Sequence, residues 1–416
     1  MGKKILLQSA IAASLILFFA MKWPVQQKLY SAIWGKNGES WDKSRIPDFT
    51  DAGYKKGKIA IPKFPPGVNV NDFGAKGDGV TDNTEAFKRA IKACKKNTAL
   101  LIPAGVYMIA DTICINKSGI AIRGSGKDKT TIFIKNGLEQ LYPKYNKLGY
   151  HNQTPWSWGG SMISFTGNIS DIGIENLSIR FPDSLYAGHN FHERAYNAIG
   201  FSNGAHDGWV RNVDIIGADV GIWIEKSANH ITAEDWTLQM GPERAAQDLS
   251  GHHGVNIYGG HNLLQYFEIR AIYQHDLSVE SDSSVYNIFR CGKGKDLCID
   301  HHNHQQSKNL FTYLDAGIGS RIYKSGGNEG PLGISHNEVF WNIRSQLPLQ
   351  YSDQFDAKNG RSHDDVEVGI NTKRPSELGI HDGNWFETIS PEDLYPADLY
   401  LAQLKYHHYK LVFKHF

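Results

Sequence analysis

Cysteine is nearly absent: four residues in 416, none in a C-x-x-C pair, which leaves no disulfide framework and no zinc-ribbon pattern. A charge excess of one sign is missing too. Lys and Arg total 44 against 43 acids, a formal charge of +1, so the chain carries no broad nucleic-acid footprint. That balance hides an offset, since residues 1–60 carry +6 and residues 61–416 carry −5. The body is mildly acidic, and an anionic ligand needs a local basic patch. Long apolar runs are lacking except at the start, where Met1-Gly-Lys3-Lys4 precedes Ile5–Met21. A basic n-region and an apolar h-region mark an export signal. Ala20 follows Phe18 and Phe19 rather than a small residue, so two outcomes stand: cleavage, or a signal anchor with Lys22, Trp23 and Lys28 at the interface. Either way the expected location is periplasmic, secreted or at the cell surface, with membrane contact only through this segment. Exported, Cys94/Cys114 or Cys291/Cys298 could pair, and sequence leaves the connectivity open.

What is plentiful is glycine, 42 residues, above the usual share of about 7%. Apolar residues make up 41%, enough for a core and too many for a disordered chain. Val68–Gly74 reads as a short strand entering a turn. Asp82 as N-cap with Glu85 at N3, then Phe87, Ala90, Ile91 and Cys94 at helical spacing, predict a helix over 83–96. Strands follow around 100–102, 105–109, 113–115, 120–122 and 131–134. From Ser161 the chain repeats: Ser161–Arg180, Asn197–Ile216, Asp219–Met240, His253–Tyr273, His275–Gly294 and Asp296–Ala316 each open and close on apolar-x-apolar pairs around a polar corner. Units of this length with no helical stretch predict a parallel β-helix, in which one coil cannot bury its own face. A β-sandwich lacks such coil-to-coil register.

The run Asn71-Asp-Phe-Gly-Ala-Lys-Gly-Asp-Gly-Val-Thr-Asp-Asn-Thr-Glu-Ala-Phe87 resembles the entry motif of the pectate-lyase-like superfamily. Its members are right-handed β-helices: polysaccharide lyases, family 28-type glycosidases and phage tailspikes. With the coils behind it, the resemblance covers residues 66–345. It implies an all-β, right-handed parallel β-helix solenoid with an N-terminal capping helix and a C-terminal covering tail. The organisation expected is a signal peptide or anchor at 1–24, an extension at 25–65, the catalytic β-helix at 66–345 and a capping tail at 346–416. Ser390-Pro-Glu-Asp-Leu opens a helical reading through Leu404 in that tail. The family 28 catalytic pattern (Asn-Thr-Asp, a later Asp-Asp, a closing Arg-Ile-Lys) does not occur, and Gly251-His-His-Gly254 only echoes its Gly-His-Gly step. Asp78 and Asp82 read as turn and cap residues.

Stacked coils bring equivalent residues about 4.8 Å apart. Aligning on Ile222, Val255, Leu277 and Leu297 gives a column Val220, His253, His275, Lys295 two positions earlier. Three positions later it gives Glu225, Tyr258, Glu280, Asp300, and a further column reads Gln239, Arg270, Arg290. Ionisable groups thus concentrate between His252 and His304, which predicts a wet groove. Three chemistries fit. For β-elimination from a uronate polysaccharide, His253 or His275 is the base, Arg270 and Arg290 hold the carboxylate, and Tyr258 or Tyr273 donates the proton. No cofactor is required, though calcium, common in related lyases, would want Glu280, Asp282 and Asp300. For hydrolysis, Glu280 and Asp300 sit near the spacing of about 5–5.5 Å of retaining enzymes, and Glu225 and Glu280 lie farther apart. For a metal, Asp300, His302 and His304 alternate onto one strand face, but ligands about 7 Å apart need a bent corner to share an ion.

Around this core, His252, His302 and His304 are expected to bind substrate. Trp156 and Trp158 lie in an aromatic loop with Tyr142, Tyr145 and Tyr150 that suits sugar faces. Arg244, Arg321 and Lys324 would form a basic rim. The leading expectation is an exported enzyme cleaving an acidic polysaccharide by β-elimination, with a β-helix glycoside hydrolase and a non-catalytic glycan binder as alternatives. The oligomeric state is not legible.

Overall fold

The computed structural model describes residues 28–142, 160–186, 194–301, 306–323, 335–349, 362–371, 379–381 and 383–407. Successive coils stack into a parallel β-helix with three faces, wound right-handed as crossovers between parallel strands are. Face one is a seven-stranded parallel sheet of Ile113–Ile115, Ile163–Thr166, Asn197–Ser202, Val220–Ile224, Gly251–Ile257, Tyr273–Val279 and Ile299–His301. Its inward ladder is Ile113, Ile163, Ile199, Ile222, Val255, Leu277 and Ile299, all buried in the main core. Alternation on a pleated strand sends the intervening residues to the other side.

Faces two and three share one longer strand per coil, for example Ile172–Arg180, His206–Ile216 and Asn229–Gln239. Each bends at a residue with positive φ: Asn176, Asn212, Asp235, Tyr266, Tyr313 and Asn342. Asn and Asp tolerate that left-handed conformation, and Asn212 Nδ2 donates to Asn176 Oδ1 at 2.8 Å across adjacent coils. The polar corners of the repeats are therefore backbone devices.

The early helix is Thr84–Ala93, shorter than expected and capped one residue later, at Asn83. Asp82 still accepts from the Thr84 amide and hydroxyl, at 3.0 and 2.6 Å, while the Asn83 side chain ties down Lys76 and Thr81. The apolar side of the helix, with Phe87, Ala90 and Ile91, joins the main core.

Residues 28–65 form a strap laid along face two. Leu29–Tyr30 pairs in parallel with Leu394–Tyr395, and Glu387 accepts from Ser31, Ala32 and Ile33. Farther along, Tyr54 Oη donates to Asp171 and Lys55 pairs with Asp207. The strap residues Ile33, Trp34, Ile46 and Phe49 close a second core on the outer side of face two, over Leu263, Ile288, Leu310, Val339 and Trp341. Parallel pairing also runs on past residue 345, through Val366–Ile370 to Asn384–Glu387. The last helix is Leu399–Tyr406 with Asp398 as N-cap, not a helix from Ser390. It packs sideways into the second core through Leu399, Tyr400 and Leu404. All four cysteines are free thiols, so neither of the two pairings open to an exported chain is formed.

Candidate active site

With face two covered by strap and tail, face one is the side whose outer ladder turns polar. That ladder reads Cys114, Ser164, Gly200, Trp223, Asn256, Ser278 and Asp300. At its polar end the histidines gather. The rings of His252 and His253 lie 4.1 Å apart, and those of His253 and His275 5.0 Å apart. His253 and His275 occupy the same rung position on adjacent coils. Between them Gly254 permits close stacking, because a Cβ there would strike the Asp276 carbonyl.

His253 and His275 each meet a carboxylate. His275 Nδ1 is 3.3 Å from Asp300 Oδ2, and His253 Nδ1 is 3.5 Å from Glu280 Oε1 and 2.8 Å from Ser278 Oγ. These groups are buried, with His253 at 3%, His275 at 2%, Asp300 at 0% and Glu280 at 5% exposure, so among the described residues the expected wet groove is instead a closed polar cluster. Donor atoms of His253, Glu280 and Asp300 all fall within 4.8 Å of one another. Tyr258 is half-buried at the strand end, its ring edge-on to Trp223 at 6.5 Å.

Several expected members stand elsewhere. Leu297 is not the fourth core rung: Leu277 pairs with Ile299, which sets Asp300 beside Ser278 rather than Glu280 and takes Lys295 out of the histidine column. The carboxylates still converge, but diagonally. Arg270 does donate to Gln239 at 3.2 Å and to Glu268 at 2.7 Å, on exposed face three. Arg290 pairs in register with Gln265 on face two and is buried against Asp398. Neither can hold a substrate carboxylate beside the histidines. Tyr273 is a core residue at 0% exposure, out of reach of a substrate, and burial pushes its phenol up. Arg244 is a buried structural cation, donating to Asp219 and to the carbonyls of Ser250 and Gly217. Arg321 likewise serves Asp276 and the carbonyls of Asp296 and Gln274. Burial pushes the Asp276 carboxyl up to about 6, against the pull of Arg321.

Glu225 is tied to its own corner through Asn203 and Ser227. Asp282 is exposed and outside the group of converging donors, which is the one such group among the described residues and contains an imidazole. The all-oxygen set Glu280, Asp282 and Asp300 therefore does not fit calcium. Trp156, Trp158, His302, His304 and Lys324 lie outside the described residues. Ser278 and Asn256 were missed, although each directly follows a core rung, Leu277 and Val255, and alternation sends that position to the outer side.

A family profile described as rhamnogalacturonase A/epimerase, pectate lyase-like, matches residues 67–294. Alginate lyase 7 of Azotobacter vinelandii is 39% identical over 80 residues, 17% of this chain and 9% of that protein. The pre-neck appendage protein of Bacillus phage phi29 is 26% identical over 261 residues, 58% of this chain and 28% of that protein. The chain thus matches less than a third of the length of either relative. Among solved structures, an exopolygalacturonase from Thermotoga maritima superposes with a TM-score of 0.45 at 16% identity, over 75% of this chain and 81% of that one. The profile covers more than half of the 416 residues, and the chain belongs to the rhamnogalacturonase A/epimerase, pectate lyase-like family.

Proposed function

We propose that this protein is an exported polysaccharide lyase that cleaves a uronate-containing chain by β-elimination. One observation carries the reading: His275 is braced by Asp300 at 3.3 Å in a cluster with His253 and Glu280, at the polar end of face one. A carboxylate this near Nδ1 stabilises the positive charge that the ring gains when Nε2 takes up a proton. In the reaction, His275, 2% exposed and uncovered as the substrate seats, takes the proton from C5 of the uronate through Nε2. The C4–O bond breaks, a C4–C5 double bond forms, and the Tyr258 hydroxyl gives a proton to the departing oxygen. Family membership and the similarity to an alginate lyase support a polysaccharide substrate. The basic and apolar opening residues support export.

Hydrolysis by paired carboxylates is the second reading, favoured by the convergence of Glu280 and Asp300 within 4.8 Å. Product analysis on a panel of polygalacturonate, alginate and rhamnogalacturonan separates the two. The lyase reading expects an unsaturated uronate product from one of them. New reducing ends without unsaturation would establish the hydrolase instead, and glycan binding with no turnover would establish a binding protein.

A further inference from the structure

We propose that His253, Glu280 and Asp300 form a binding site for a first-row divalent cation of the manganese or zinc type. This deepens the lyase reading and rests on it for its purpose, but not for its geometry. Three donor atoms from three different side chains, one nitrogen and two carboxylate oxygens, converge within 4.8 Å of one another, and all three residues are buried. Two carboxylates at that separation repel strongly when removed from water, and a cation between them converts the repulsion into attraction. Surface acidic clusters lack this feature, because solvent screens them.

A second observation comes from the neighbouring rung. Asn256 is 4% exposed, and its Oδ1 has no hydrogen-bond partner among the described residues. It lies on the same outward ladder, next to Ser278, whose Oγ meets His253 at 2.8 Å. A buried amide oxygen left without a donor is costly, and a carbonyl oxygen is a ligand that hard and borderline cations accept. The donor chemistry then selects the ion. Calcium wants six to eight oxygens, whereas a set of one imidazole, two carboxylates and one amide carbonyl suits manganese or zinc. A cation there would meet the uronate carboxylate, the task for which Arg270 and Arg290 are misplaced.

The test is binding to the purified full chain after dialysis against a chelator, followed by manganese(II) electron paramagnetic resonance without substrate. One manganese per chain is expected, displaced by zinc and not by an equal concentration of calcium. His253→Asn and Asp300→Asn should each weaken binding by more than about tenfold, with circular dichroism confirming that both remain folded. Asp282→Asn should leave binding unchanged. Absence of bound manganese, preference for calcium, or equal binding by all variants would overturn the site. Bound cation with no unsaturated product on any uronate would uphold the site and sink the lyase reading. Unsaturated product formed at full rate by chelated, metal-free protein would sink the cation site alone.

Discussion

The guanidinium of Arg290 is 1% exposed, lies over the rings of Tyr266 and Tyr400, and donates to Gln265 and Asp398. Asp398 is at the same time the N-cap of the last helix. Removing the arginine leaves a buried carboxylate without its cation, which costs about 3–5 kcal/mol. Arg290→Ala is therefore expected to lower the midpoint of chemical denaturation sharply. Arg270→Ala, whose side chain is 50% exposed, should shift it by less than about 1 kcal/mol. Equal effects of the two would contradict the placement of these residues. A residue-scale pH effect is expected at His230, stacked on His261 at 5.2 Å. Burial, with His261 adding to it, brings its pKa down from 6.5 to about 4. The unfolded chain takes up that proton first, so the contribution of neutral His230 to stability is complete above pH 6.5 and lost as pH falls through 4. His230→Asn should lose less stability than the wild type between pH 7 and 4, measured by urea denaturation. Parallel losses would contradict a buried neutral imidazole.

At the scale of elements, a chain of side-chain to backbone hydrogen bonds lines the corner after face one. Asn262, Asn287 and Asn309 each accept from the backbone amide of the preceding coil, and Glu338, Asp365 and Asn384 continue the series. Asn287→Ala orphans the Asn262 amide and the Gly259 carbonyl. It is expected to cost about 1–3 kcal/mol for each buried group left unpaired, read as faster amide exchange at Asn262. Unchanged exchange there would contradict the ladder. The strands were legible because alternation obeys burial: Ile222, Val255 and Leu277 do share a rung. The register slipped at the next coil because Leu297, Cys298 and Ile299 are all fully buried, so hydrophobicity alone offers two equivalent starts. The capping helix was displaced by one residue because Asp82 and Asn83 are both good caps, and the Asn83 side chain is spent on the turn before it.

Across the whole molecule, the decisive arrangement is that one side is closed and another is polar. The strap and the tail bury the outer side of face two, and the outer rungs of face one carry Asn256, Ser278 and Asp300, with His253 and His275 close beside them. The concentration of ionisable residues between His252 and Asp300 was readable from composition. Which polar side each residue joins was not, because a three-faced coil gives Arg270 and Arg290 the same sequence distance from the core as the groove residues. Residues 28–65 were equally opaque: their partners include Asp171 and Asp207, over 100 positions away, and Glu387 and Gln403, over 300, beyond any local pattern. The measurement that bears most directly on the account is turnover of a uronate polysaccharide by His275→Ala and Arg270→Ala, followed through formation of the unsaturated product. The account predicts a loss of about 10²–10⁴-fold for His275→Ala and wild-type turnover for Arg270→Ala. Full activity in His275→Ala, or a comparable loss in Arg270→Ala, would contradict it.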